Sequence, residues 1–388
     1  MPSSTEQPEI LCINTGGVGD LHGLRMRRLA GYLDRPVVFY DLDRNAKKQA
    51  FRDLREVIRS RRWRLIYQES TGIAGGLNLL LAPRDVPFIF SSGDPISGFF
   101  RATKGPLYGK VFEAYERALF RACAGFIGWT PYLAGRALEM GARRAVTIEG
   151  AVDMDVFRPL PPDERRAIRA GLGIPPDKIV CGLVGSIKWV PRQSYCYGLE
   201  LVEAARRITR PDMVFLIVGD GDGRALLEQR LTGEAKQRVI FTGRLPEAEV
   251  ARAMNAMDLG FITQTLDCLG SYRLTTKLPE YLGCGTPVAM SPIPGYFDYA
   301  ETAGWALPPL HPASSAFHDQ LAAWLNGLTR EEIEEKARHG RAVAQERFTY
   351  NVVGPRFASF VENLLTSGIG AAPAAAAART VGAAGGAG

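Results

Sequence analysis

Lys277 and Glu280 stand three residues apart in Lys277-Leu278-Pro279-Glu280-Tyr281-Leu282, a spacing that puts a cation and a carboxylate on one side of a helix. Taken alone, Lys277 fits a ligand-binding cation or a solvated charge almost equally, and Glu280 fits a ligand contact better than an exposed helical carboxylate. A second stretch with chemical potential is Asn14-Thr15-Gly16-Gly17-Val18-Gly19-Asp20, where an apolar run gives way to a helical pattern. Free N–H groups at such a junction suit phosphate, and a ligand-free strand-to-helix turn uses the same residues. The spacing does not match the GxGxxG dinucleotide fingerprint, which argues against a dehydrogenase. Ser92-Gly93-Asp94-Pro95 offers the Asp94 carboxylate to a ligand or to the cap of the next helix. Asp220 and Asp222, in a Gly-Asp-Gly-Asp-Gly run, read as a turn rather than a metal pair, and His22 reads as a surface helix position. Six cysteines without a CxxC pair and four histidines indicate neither a disulfide framework nor a zinc site.

These residues need a scaffold, and 388 residues suggest two domains at about 150 each. Composition is ordinary for a globular protein, 46% hydrophobic and 23% charged. Short apolar runs at Ile10–Ile13, Pro36–Tyr40, Trp63–Tyr67, Pro87–Ser91, Gly125–Ile127 and Ala145–Ile148 alternate with helical patterns, which predicts a parallel sheet wrapped by helices. After the proline-rich Asp153–Pro162 the same grammar restarts, with strands expected at Ile179–Val184, Met213–Val218, Val239–Thr242, Leu259–Thr263 and Pro287–Met290. The fold class is therefore α/β, with two doubly wound Rossmann-like domains in tandem. The expected division is 1–172, 173–350, a helix over 351–366, and a disordered Ala/Gly tail over 367–388 whose one charged residue is Arg379.

Charge is unevenly shared. Residues 1–172 hold 26 Lys and Arg against 19 Asp and Glu, or +7, and the remainder holds 21 against 22, or −1. The excess favours anionic partners. Within it, basic and aromatic residues interleave over Phe99–Phe112, which suits an anionic membrane surface, although glycine and proline interrupt the pattern as they would in an ordinary solvated helix. Met1–Glu9 is polar and no stretch has the roughly 18 apolar residues of a spanning helix, so the expected location is cytoplasmic, or peripheral on the inner face of the membrane.

Lys277-Leu278-Pro279-Glu280-Tyr281-Leu282-Gly283-Cys284-Gly285-Thr286-Pro287-Val288-Ala289 resembles the signature of the retaining glycosyltransferases of family 4, the glycosyl transferases group 1 of GT-B fold. Glu149–Pro159 resembles the interdomain "NGVDxxxFxP" of that family, Val218-Gly219-Asp220-Gly221 its "VGDGP", and Val239–Pro246 the turn before its base-binding loop. The resemblance implies two domains facing across a cleft. It also implies that Glu280 binds the donor ribose hydroxyls, with Lys277 near the diphosphate. Gly185 and Ser186 would supply backbone N–H groups, Lys188 or Arg192 a second cation, and Gly243, Arg244 and Leu245 would flank the base. Gly16 and Gly17 would face the phosphates and the acceptor from the first domain.

Three departures stand out. Tyr272 occupies the place of a glutamate that contacts the donor sugar, and Ser186 replaces an arginine. A histidine expected after the fourth strand is absent, and Asp94 stands in that stretch.

The implied reaction transfers a sugar from a nucleotide donor to an acceptor hydroxyl of a saccharide, lipid-linked saccharide or small molecule, with retention. The leaving diphosphate is stabilised electrostatically, Asp94 and Lys277 are the catalytic candidates, and no cofactor, essential metal or nucleic acid is involved. A nucleotide-sugar epimerase or a catalytically silent GT-B subunit would share the architecture; the scarcity of histidines weighs against the first, and Tyr272 and Ser186 favour the second. A hinged binding protein would normally be secreted.

Overall fold

The computed structural model describes residues 10–60, 63–70, 72–82 and 86–366, so Met1–Glu9 and the Ala/Gly tail lie outside the described residues. The first sheet contains β1 (Ile10–Asn14), β2 (Val37–Asp41), β3 (Leu65–Glu69), β4 (Phe88–Ser92), β5 (Gly125–Gly128) and β6 (Ala145–Thr147). The second contains β7 (Ile179–Val184), β8 (Met213–Val218), β9 (Val239–Gly243), β10 (Leu259–Ile262), β11 (Val288–Met290) and β12 (Gly304–Ala306). Their orders are β2-β1-β3-β4-β5-β6 and β12-β11-β10-β7-β8-β9, and the paired strands run parallel.

Helices cover both faces of each sheet, which is why central strands such as Ile10–Asn14 and Met213–Val218 are continuously buried rather than alternating. The strand order reverses at β1/β3 and at β7/β10. Ligands of doubly wound folds bind beyond the strand ends at such points.

Some boundaries differ from the sequence expectation. Trp63 is not in β3, because its indole N–H donates to the Val57 carbonyl at 3.0 Å and closes the preceding helix. The edge strand β12 lies outside the expected strands, because Gly304-Trp305-Ala306 is only partly buried and forms no apolar run. The boundary after residue 172 lies too late: helix Pro162–Gly171 belongs with the second domain, held by Arg169 paired with Asp258 at 2.7 Å and donating to the Ala256 carbonyl at 2.9 Å. Val152 and Phe157 are already part of the second domain's core. The last helix, Tyr350–Thr366, returns to the first domain and buries Val353, Phe357, Val361 and Leu364 against Ile10, Met26 and Tyr67.

Candidate active site

The strand ends of the two sheets face each other across a cavity of about 350 Å³. Leu183 to Gly185 at the end of β7 and Ile262 to Gln264 at the end of β10 form its wall in the second domain, while Ser70, Ser92, Gly93 and Asp94 at the ends of β3 and β4 form the opposite wall. Both reversal points therefore open onto one space.

Asp94 does not cap a helix. The N–H of Ile96, first residue of the Ile96–Lys104 helix, donates instead to the buried Glu116 carboxylate at 2.7 Å. The Asp94 carboxylate spans the cleft and accepts from Arg273 Nε at 2.6 Å and Nη2 at 3.2 Å, a bidentate pair. Arg273 Nη1 also donates to Gln264 Oε1 at 3.2 Å, and Gln264 Nε2 donates to the Tyr197 hydroxyl at 2.9 Å. Burial opposes the Arg273 charge, but Asp94 outweighs it and holds the guanidinium pKa above its usual value.

Lys277 Nζ reaches the Glu280 carboxylate at 2.5 Å. Glu280 is 7% exposed, so it is not a solvent-facing carboxylate. Burial pushes its pKa up, against the neighbouring Lys277. Glu280 does not line the main cavity but a separate narrow pocket of about 60 Å³ at the domain junction, shared with Thr276, Glu247, Arg25 and Trp129.

A second cavity of about 360 Å³ shares Val184, Gly185 and Lys277 with the first and adds Ser186, Asp220, Arg244 and Leu245. Gly219 lets these loops meet: at φ +140°, its added Cβ would fall 1.9 Å from the Gly185 carbonyl oxygen. The Gly185 N–H is committed to the Val218 carbonyl at 3.0 Å, so Ser186 is the better backbone donor. Gly243 lies just outside the lining, its carbonyl accepting from Gly219 N–H at 3.0 Å as the chain turns Arg244 inward.

Other sequence candidates stay apart. Gly16 and Gly17 line neither cavity and fold onto Asn14, whose amide donates to the Gly17 carbonyl at 2.7 Å and whose side-chain oxygen accepts from Gly16 N–H at 2.9 Å. Lys188 and Arg192 are exposed and also line neither, with Arg192 lying beside Gly105. Tyr272 points away from the cleft: its ring packs under Arg136 at 5.5 Å and its carbonyl accepts from Thr130 Oγ1 at 2.9 Å. Asp220 and Asp222 bind the N–H groups of Gly221 and Trp189 at 2.8 and 2.7 Å, the bonds of a turn. Among the described residues no cluster of three or more His, Cys, Asp or Glu is placed to hold a metal.

His22 is half-buried rather than fully exposed. It lines the main cavity with its ring 6.0 Å from Trp129, and its shielded Nδ1 has no partner among the described residues. Sequence reading missed Trp129, Tyr197, Gln264 and Arg273. Trp129 directly follows β5, and the strand-end rule could have found it.

Residues 178–326 match the sequence model of the family described as glycosyl transferases group 1. The chain is 32% identical over 209 residues to the 2-deoxystreptamine glucosyltransferase of Streptomyces kanamyceticus, covering 52% of this chain and 50% of the relative. It is 28% identical over 171 residues to the D-inositol 3-phosphate glycosyltransferase of Mycobacterium tuberculosis, covering 40% and 32%. The chain thus spans between a third and a half of these curated relatives. The fold is similar to Anabaena HepE, solved in complex with UDP and glucose, with TM-score 0.72 and 17% identity over 92% of this chain and 100% of that one. It is also similar to WaaG, a glycosyltransferase involved in lipopolysaccharide biosynthesis, with TM-score 0.65 and 17% identity over 92% and 100%. Residues 178–326 of the second domain thus match the glycosyl transferases group 1, and the chain as described has the GT-B fold.

Proposed function

We propose that this protein is a glycosyltransferase that moves a sugar from a nucleotide-diphosphate donor to an acceptor hydroxyl with retention at the anomeric carbon. The observation that carries the reading is the meeting of Lys277, Arg244 and the Ser186 backbone around two communicating cavities at a sheet reversal, with Asp94 on the facing wall. Two cations and an N–H suit a diphosphate, and the stabilisation they give grows as negative charge develops on the leaving group. Glu280 receives the ribose hydroxyls, Gly243 to Leu245 flank the base, and Asp94 stands beside the transferred sugar. The attacking hydroxyl approaches the face that the diphosphate leaves, so no side chain forms a covalent intermediate. No metal enters the reaction. HepE, solved with UDP and glucose and with UDP-glucose, supports a nucleotide-sugar donor by analogy, and the 2-deoxystreptamine glucosyltransferase supports sugar transfer.

The acceptor, a saccharide or lipid-linked saccharide, enters from the first domain, which lies peripherally on an anionic membrane. Phe99, Leu107, Tyr108 and Val111 are 44%, 73%, 51% and 58% exposed on helices Ile96–Lys104 and Pro106–Ala122, beside Lys104 and Lys110. The acids on the second helix are occupied: Glu113 pairs with Arg101 and Arg117 at 3.5 and 3.4 Å, and Glu116 is buried against Arg136. That leaves an apolar face with a basic margin. No helix among the described residues is long and apolar enough to cross a membrane.

Radiolabelled nucleotide sugars test the function. Transfer to an acceptor that survives EDTA is expected; sugar interconversion without transfer would indicate an epimerase, and binding without turnover a silent subunit.

A further inference from the structure

Asp94 is the one carboxylate among the residues lining the main cavity. Vicinal hydroxyls of a sugar are O–H donors, and an ionised carboxylate offers about four lone-pair sites to them. Arg273 takes two of those sites, at 2.6 and 3.2 Å, which leaves the others to a ligand and fixes the carboxylate's orientation.

The fixing group comes from the other domain, and its own position is secured. Gln264 and Tyr197 back the guanidinium. The segment before it is docked onto the first domain, through Thr130 and the Tyr272 carbonyl at 2.9 Å and through Cys268, whose carbonyl oxygen lies so close to Gly98 that an added Cβ would fall 2.3 Å away. Tyr272 turns into the first domain, so Arg273 is the residue of this segment that turns into the cleft.

Resting on the nucleotide-sugar reading above, we propose that Asp94, clamped by Arg273, is the carboxylate that receives the hydroxyls of the transferred sugar. The two domains then divide the donor: the second holds the nucleoside diphosphate, and the first holds the sugar only while Arg273 bridges the cleft. Arg273 acts through Asp94 and is a positioning residue.

The experiment is isothermal titration of the full chain with UDP, GDP, ADP and dTDP, each bare and as its glucose and galactose conjugates. Losing one charge-assisted acceptor, Asp94→Ala should bind the conjugate about ten- to a hundredfold more weakly. The bare diphosphate, held by the other domain, should stay within about twofold of the parent, which also reports that the variant is folded. Arg273→Lys keeps the charge and loses the fork, so it should lose part of the same increment and spare the bare diphosphate. The double variant should bind the conjugate no worse than Asp94→Ala, because Arg273 has nothing left to position. Equal losses on bare and conjugated ligand, or no loss on either, would overturn the clamp, as would a parent that binds a diphosphate but none of its conjugates. A parent that binds no diphosphate at all would overturn the donor reading itself.

Discussion

Replacing Glu280 is the sharpest perturbation of the proposed nucleotide site. Glu280 is 7% exposed and its carboxylate lies 2.5 Å from Lys277 Nζ, whose own side chain is a quarter exposed, so the carboxylate is buried and geometrically fixed. If Glu280 accepts from two ribose hydroxyls, Glu280→Ala removes charge-assisted bonds of about 1.5–3 kcal/mol. Affinity for the nucleoside diphosphate should fall on the order of ten- to a hundredfold. Glu280→Gln keeps the shape and one acceptor and should lose less.

Without ligand, Glu280→Ala leaves the Lys277 ammonium without its partner and should lower the melting temperature, so titration is done well below the melt of both proteins and the affinity loss is read on folded protein. The pH profile adds a second reading. Burial raises the Glu280 pKa, and only the ionised form accepts from both hydroxyls. Parent affinity should therefore fall with decreasing pH, beginning above the ordinary carboxylate range, and more steeply than that of the Gln variant, in which only the ligand's terminal phosphate takes up a proton. Isothermal titration with the diphosphate that binds the parent measures both. A Glu280→Ala protein that binds it as tightly as the parent would remove Glu280 from the site and undercut the roles assigned to its helix.

Two further outcomes can be measured independently. Glu200 is buried beneath the cavity wall, accepts from the Tyr195 hydroxyl at 3.0 Å and has a pKa pushed up to about 7 from 4.5, chiefly by burial. The folded state therefore holds its proton through a window in which the unfolded chain releases it, so stability falls as pH rises from 4.5 to about 7, by up to about 3 kcal/mol. Glu200→Gln should flatten that decline in denaturant titrations at pH 5 and pH 8, and an unchanged slope would contradict it. Liposome flotation should recover the protein with anionic vesicles and lose it on Leu107→Ser/Val111→Ser substitution; absence of the parent from both neutral and anionic vesicles would retire the membrane face.

The local grammar of this chain was legible in its sequence. Strands buried on both faces must be continuous apolar runs, so Ile179–Val184 and Met213–Val218 declare themselves, and alternation with helical spacing leads to two parallel sheets. The side-by-side placement of Lys277 and Glu280 is likewise local, because one helical turn fixes it. Contacts across the cleft are not. Asp94 and Arg273 are 179 residues apart, and their meeting depends on how two separately folded sheets face each other. Which of Tyr272 and Arg273 enters the cleft is decided by the short turn Gly270–Tyr272 docking on the first domain. For the same reason Gly16, Gly17, Lys188 and Arg192 carry the right chemistry in sequence and still line neither cavity. His22, at the start of the helix Leu21–Ala30, meets Trp129, just after β5, although β3 and β4 lie between β1 and β5 in the sheet. Sequence determined the composition of each strand-end loop; the packing of one domain against the other decided which loop residues share a volume, since that distance is set by the whole interface and by no local spacing.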